Sequence, residues 1–171
     1  VQDIIEFSRL QAKDVVQDGG PVDLNAVVAD AVDRLRLTAE DRGIALRVGG
    51  RVDAVVHGDQ DQLMTAVRNL VDNAVRYSPE GTTVGIGLSS ADGLAQVTVT
   101  DQGIGISPEE QERVFERFYR VDAARSRQTG GTGLGLAIVK HVLMRHRGKL
   151  EISSVPGHGS TFTCHFRSEE R

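Results

Sequence analysis

Asp59-Gln-Asp-Gln-Leu63-Met-Thr-Ala-Val67-Arg68-Asn69-Leu70-Val-Asp72-Asn73-Ala74-Val-Arg76-Tyr77 is the stretch from which the fold is most readily read. It is helical by period. At about 100° per residue from Leu63, the side chains of Val67, Leu70 and Ala74 fall within roughly 40° of it and form a core stripe. Asn69, Asn73 and Arg76 fall near 240°, 280° and 220°, roughly along one edge, apart from the core and from the solvated side where Arg68 and Asp72 lie. An amide oxygen is a neutral, hard ligand that Mg²⁺ accepts beside waters and phosphates. A guanidinium at the same edge suits phosphate oxygens. A polar shoulder with no ligand has the same pattern, so the helix alone leaves both readings open.

Around this helix the period alternates between that of helices and that of strands. Asp23 is an N-cap for a helix carrying Leu24, Val27, Val28, Ala31, Val32 and Leu35, which Gly43 closes. Ile44, Leu46 and Val48 alternate as a half-buried strand, as do Val84, Ile86 and Leu88, and then Val97 and Val99. Ala91-Asp92-Gly93 is a turn between the last two. Ser107-Pro108-Glu109-Glu110 is a capping box with proline at the first helical position and predicts a short helix. A further helix is expected over 133–147, and strands over 149–153 and 160–166. The order is helix, strand pair, helix, strands, short helix, helix, strands. It predicts a two-layer α/β sandwich with helices on one face of a mixed sheet.

The flanks and composition narrow the class. Residues 1–10 read as the end of a longer helix, with Val1, Ile4, Ile5 and Leu10 apolar; residues 11–21 read as a linker holding Gly19, Gly20 and Pro21; residues 22–168 read as the domain itself. The chain has 171 residues, 39% of them apolar and 26% charged, enough for one core and too few for two comfortable domains. Twenty basic against 24 acidic residues leave a net charge of −4, which argues against nucleic acid as the main partner. Cys164 is the single cysteine, so no intramolecular disulfide or multi-cysteine metal site can form. No apolar run approaches the roughly 18 residues of a membrane span.

Glycines cluster after residue 100. Asp101-Gln-Gly103-Ile-Gly105-Ile106 follows a strand where the chain leaves the sheet, and its glycines permit close backbone approach. A carboxylate there can accept from the exocyclic amine of adenine, which guanine does not offer at that edge. Gly130-Gly131-Thr132-Gly133-Leu134-Gly135-Leu136 runs into a helix, so its amides suit an anion. It lacks the Gly-Lys-Ser/Thr of a P-loop and the βαβ surroundings of a dinucleotide fingerprint; a hinge remains the alternative. Between these clusters, Phe115-Glu-Arg-Phe118-Tyr119-Arg120 leads into a polar stretch with Arg125 and Arg127, which suits a lid over an anionic ligand or a plain solvated loop.

Taken in order, these pieces resemble the boxes of sensor histidine kinases. Asn69-Leu-Val-Asp-Asn73-Ala-Val-Arg76-Tyr77-Ser78 resembles the N box, Asp101-Gln-Gly-Ile-Gly-Ile106 the first glycine box, Phe115 to Arg120 the F box, and Gly131 to Ala137 the second glycine box. Gly157-His-Gly159-Ser-Thr-Phe162 is similar to the glycine motif before the last strand. The resemblance covers about residues 21–166 and implies the Bergerat-type ATP-binding fold shared by gyrase, the Hsp90 chaperone, histidine kinases and MutL. It implies ATP and Mg²⁺ as cofactors. Asn73 and Asn69 would hold the metal, with Asn69 and Arg120 acting on the transferred phosphate. Arg76 would contact phosphate, and Tyr77, Tyr119 and Ile106 would flank the nucleotide. Asp101 would hold the adenine amine, Gly103 and Gly105 would line its pocket, and Gly131, Thr132, Gly133, Leu134, Gly135 and Leu136 would cradle phosphate.

One difference within that superfamily discriminates. Gyrase-like ATPases and serine-kinase regulators carry a glutamate base four residues before the metal-binding asparagine; that position is Asn69 here. An amide is no base at neutral pH, whereas a neutral histidine acceptor is already nucleophilic. The resemblance therefore implies phosphoryl transfer to histidine, with an ATPase or serine-kinase regulator as the alternative. None of His57, His141, His146, His158 and His165 is followed by the acidic residue and proline of a family acceptor, and all five read as surface or strand residues. The acceptor is expected upstream, on dimerisation helices of which residues 1–10 would be the end. The expected partners are those helices and a cognate response regulator, in a homodimer. The chain would be the cytoplasmic domain of a kinase anchored in the plasma membrane.

Overall fold

The computed structural model describes residues 20–103, 135–154 and 159–170. In chain order the elements are β1 (Gly20–Val22), α1 (Leu24–Asp41), β2 (Ala45–Gly50), β3 (Ala54–Gly58), α2 (Gln60–Tyr77), β4 (Thr83–Ala91), β5 (Leu94–Asp101), α3 (Gly135–Arg145), β6 (Lys149–Ser154), β7 (Ser160–Arg167) and β8 (Glu169–Glu170). Five strands form a sheet in the order β2-β4-β5-β7-β6, parallel between β2 and β4 and antiparallel elsewhere. The three helices cover one face of this mixed sheet, as the pattern predicts.

The sheet's apolar face explains why. Val84, Ile86 and Leu88 of β4, Ala95, Val97 and Val99 of β5, and Phe162, Cys164 and Phe166 of β7 are all buried at alternate positions. Leu63, Val67, Leu70 and Ala74 of α2 and Leu24, Val27, Val28, Ala31 and Val32 of α1 close the same core. Each fully buried valine, leucine or phenylalanine contributes about 1.5–3 kcal/mol relative to exposure, so the helix layer is held chiefly by this face. Burial pushes the Cys164 thiol up to about 12, which leaves it an inert member of the core.

The local signals that set element ends are visible. The Asp23 carboxylate accepts the Asn25 N–H at 2.9 Å, and Asp59 accepts the Gln62 N–H at 3.2 Å, capping α1 and α2. Asp92 and Gly93 both have positive φ (53° and 75°), the two-residue turn that joins β4 to β5 with matching twist.

Several expectations are corrected. The two strands after α1 do not pair with each other: β2 joins the large sheet, whereas β3 pairs with β1 and β8 in a separate three-stranded sheet. β2 is an edge strand, so Leu46 is only partly covered and Val48 is exposed; Ile44 is buried just before the strand begins. Gly20 and Pro21, read as linker, lie in β1, where proline is tolerated at a sheet edge. The last helix ends at Arg145 rather than at 147, and its expected start at 133 lies outside the described residues. The expected helix at 107–110 and the expected terminal helix at 1–10 lie outside the described residues.

Candidate functional site

Asp101 is the last residue of β5 and is buried, with 7% of its surface exposed. Its Oδ1 accepts the Gly103 N–H at 2.8 Å and the Ser160 N–H at 3.2 Å. Burial raises its pKa above the ordinary carboxylate value, and those two backbone donors oppose the rise. Both bonds fall on Oδ1, so among the described residues the second oxygen is left to serve a donor from a ligand. The carboxylate is thereby aimed by backbone groups of two different chain segments, which fixes its direction.

Gly103 explains how the chain passes this point. A Cβ there would collide with the Tyr77 carbonyl and would stand 3.0 Å from Asp101 Oδ1. Only glycine lets the segment after β5 lie against the end of α2. This brings Tyr77, the last residue of α2, to the same place as Asp101.

Along α2 the amide edge is divided by depth. Asn69 is buried at 8% exposure and Asn73, one turn later, is half-buried. Asn69 Nδ2 donates to the Thr65 carbonyl at 2.8 Å, so its oxygen turns the other way. That oxygen lies over Gly135 at the start of α3, where a Cβ would stand 3.3 Å from it. Asn69 is therefore not simply on an open edge; it is clamped between helices with its acceptor presented toward a helix N-terminus. Arg76 Nε donates to Asp72 Oδ2 at 2.9 Å, so its guanidinium is steered by an acid four residues back. Two neutral amide oxygens beside such a steered arginine could hold a hard divalent cation carried in with phosphate. Among the described residues no group of three or more histidine, cysteine or acidic side chains could hold a metal.

The structure thus brings together Tyr77, Asp101 and Gly103 at one end of α2, and Asn69, Gly135 and Leu136 where α2 meets α3. Gly105, Ile106, Tyr119, Arg120, Gly131, Thr132, Gly133 and Leu134 lie outside the described residues, as do the lid aromatics. Two contributors escape sequence reasoning. The Ser160 N–H reaches Asp101 because β5 and β7 pair with Asp101 opposite Ser160, and only strand register could have shown it. Ser78, just past α2, is buried with its hydroxyl lacking a hydrogen-bond partner among the described residues; the resemblance to the N box includes it but gives it no role. His146 also departs from expectation: it is neither in a strand nor at the free surface but bonded into the turn after α3.

Three helices on one face of a mixed sheet of this order, with a carboxylate buried at a strand end beside an amide-bearing helix, define an α/β sandwich with a candidate ligand site. Comparison with known proteins agrees: residues 58–170 match the model of the family described as histidine kinase-, DNA gyrase B- and HSP90-like ATPase. The chain belongs to this family. It is 49% identical over 163 residues to the sensor-like histidine kinase SenX3 of Mycolicibacterium smegmatis, covering 95% of this chain and 42% of that protein. It is 43% identical to the phosphate regulon sensor protein PhoR of Pseudomonas aeruginosa, covering 97% of this chain and 38% of that protein. Among solved structures, the mycobacterial sensor histidine kinase MprB is similar with a TM-score of 0.77 and 35% identity, over 90% of this chain and 99% of that one. The full-length ShkA complex with AMPPNP gives a TM-score of 0.83 at 26% identity, over 99% of this chain and 35% of that one. The chain spans about two fifths of the length of the curated relatives named here.

Proposed function

We propose that this chain is the catalytic domain of a two-component sensor histidine kinase, which transfers the γ-phosphoryl group of Mg-ATP to a histidine on dimerisation helices for relay to a response-regulator aspartate. The observation that carries the reading is the buried Asp101 carboxylate, with Oδ1 held by Gly103 and Ser160 and its other oxygen left for the adenine amine. Tyr77 flanks the base, and Gly103 with Gly105 and Ile106 forms the wall against which it lies. Asn69 and Asn73 turn amide oxygens to the metal and phosphates, Arg76 neutralises phosphate charge, and Gly131 to Leu136 present amides at the opening of α3. Magnesium, when bound, offsets charge on the transferred phosphoryl group. Tyr119 is assigned to the nucleotide site, and Arg120 to act on charge that develops as the phosphoryl group moves.

Asn69 favours this reading over a hydrolytic one. Its amide is committed to the Thr65 carbonyl through Nδ2 and has no capacity to remove a proton from water or serine at neutral pH. A neutral imidazole needs no such base. The ATPase and serine-kinase alternatives of the superfamily are therefore poorly served by this α2. The catalytic unit holds residues 22–168 together with Gly20 and Pro21 of β1, preceded by the rest of the linker, at 11–19, and by the end of an acceptor helix at 1–10. The intact kinase is a homodimer anchored in the plasma membrane, with this domain on the cytoplasmic side and a cognate response regulator as partner.

Isothermal titration with ATP and GTP, each with and without Mg²⁺, tests the site. The expected result is Mg²⁺-dependent binding of ATP with GTP at least about tenfold weaker, the scale of one lost hydrogen bond to a charged group. Equal affinity for the two nucleotides would remove Asp101 from the base-binding role.

A further inference from the structure

Outside the nucleotide site, His146, in the turn that follows α3, has both ring nitrogens bonded to backbone groups. Its Nδ1 lies 2.8 Å from the Val142 carbonyl, and its Nε2 lies 3.0 Å from the Asp59 backbone nitrogen. A carbonyl can only accept and an amide N–H can only donate. The ring must therefore carry its proton on Nδ1 and present a lone pair at Nε2. Asp59 is the N-cap of α2, so the acceptor that His146 supplies sits just before the first turn of the helix bearing Asn69, Asn73 and Arg76. The ring also lies on Gly58, where a Cβ would collide with Cδ2.

The second meeting of the same two helices is Asn69 against Gly135. From Asp59 to Asn69 is ten residues along α2, and from Gly135 to His146 is eleven along α3 and its closing turn. At about 1.5 Å per residue these are spans of roughly 15 Å on each helix, so the helices run antiparallel and are tied at both ends of a matched length. A slip at the His146 end is a slip of Asn69 against the opening of α3. We propose that His146 is a positioning residue, holding α2 in register on α3 so that the Asn69 oxygen faces the Gly135 end of the phosphate-binding segment. The proposal goes beyond the assignment of nucleotide-contacting groups, though its consequence for affinity rests on that assignment.

The charged groups facing the ring are Asp59 at the N-cap of α2, which favours the protonated form, and Arg145 at the end of α3, which opposes it. Burial is the largest influence and holds the ring neutral. Protonation puts a hydrogen on Nε2, removes the acceptor of the Asp59 N–H and turns the contact repulsive. The tie therefore opens in acid.

The test uses the chain as it stands. Nitrogen NMR of the nucleotide-free protein reads the His146 tautomer, the Asp59 amide and the Gly135 amide from pH 8 to pH 5. The expected result is an Nδ1–H tautomer at high pH and amide shifts at both Asp59 and Gly135 that follow the titration of this ring. His146→Gln places an amide oxygen near the Nε2 position and does not titrate. It should keep Mg-ATP affinity near the wild-type value at pH 7.5 and lose the part of the acid sensitivity that wild type shows beyond it. His146→Phe should weaken Mg-ATP by about tenfold at pH 7.5. A Gly135 amide that ignores the His146 titration, or a Gln variant with the wild-type pH profile, would overturn the proposal. The NMR readout needs no nucleotide, so it stands even if the ATP assignment fails.

Discussion

Asp101 and Ser160 face each other across the β5–β7 pair, and the Ser160 N–H bonds to Asp101 Oδ1 at 3.2 Å. The strand end that presents the carboxylate is thus braced by the first residue of the strand beside it. With the Gly103 N–H on the same oxygen, at 2.8 Å, the side chain has one direction left for a ligand. On the proposed function, the base specificity of the domain rests on that orientation.

Asp101→Asn keeps an oxygen for Gly103 and Ser160 but turns an NH2 toward the base. Two donors then face each other when adenine binds, while the guanine carbonyl finds a partner. ATP affinity should fall about 10- to 150-fold, from roughly 1.5–3 kcal/mol, and GTP affinity should rise. Titration of both nucleotides checks it, with thermal unfolding showing that the fold survives.

Gly135→Ala should show a sign reversal. Alanine normally favours a helix over glycine by about 1 kcal/mol. Its Cβ here would stand 3.3 Å from the Asn69 oxygen, tighter than ordinary contact, and Asn69 cannot turn without losing its bond to Thr65. The substitution should therefore destabilise the wild type by about 1 kcal/mol yet stabilise the Asn69→Ala background. A double-mutant cycle by denaturant unfolding measures this coupling.

His146 sets an acid limit on stability. Its folded pKa lies below the ordinary 6.5, chiefly through burial. The unfolded chain then binds the proton more readily, so stability is full above about pH 6.5 and is lost as pH falls from there toward the folded value. Denaturant midpoints at pH 7.5 and 5.5 should differ in the wild type, and the difference should shrink in His146→Gln.

Arg120→Ala should reduce phosphoryl transfer more than nucleotide affinity, because a lid arginine acts on charge that appears only as the group moves. Comparing the Mg-ATP dissociation constant with the transfer rate separates the two. Equal losses would make Arg120 a ground-state contact.

The helix layer was legible because its signals are local. The Leu63-Val67-Leu70-Ala74 stripe is buried as its period requires, and Asp23, Asp59 and Asp92-Gly93 cap and turn the chain where their side chains and φ angles favour it. What stayed hidden is non-local. β3 has the same alternation whether it pairs with β2 or with β1, and nothing in Ala54–Gly58 says which. Val48 reads as a core residue until β2 is seen to lie at the sheet edge. In the site, Asn69, Asp101 and Gly103 were readable as residue types in a pattern. The clamp of Asn69 between Thr65 and Gly135, and the tie from His146 to Asp59, join residues far apart in sequence and appear only when the helices pack.

The central claim is transfer to histidine, and the chemistry of the phosphorylated product tests it most directly. The chain is mixed with a separately made dimerisation and acceptor-helix domain and γ-labelled Mg-ATP, and the label on protein is challenged with acid and with alkali. A phosphoramidate is expected: label that is lost in acid, survives alkali, and depends on Asp101 and Asn73. Acid-stable label on the acceptor, or brisk release of inorganic phosphate with no acceptor present, would contradict the account.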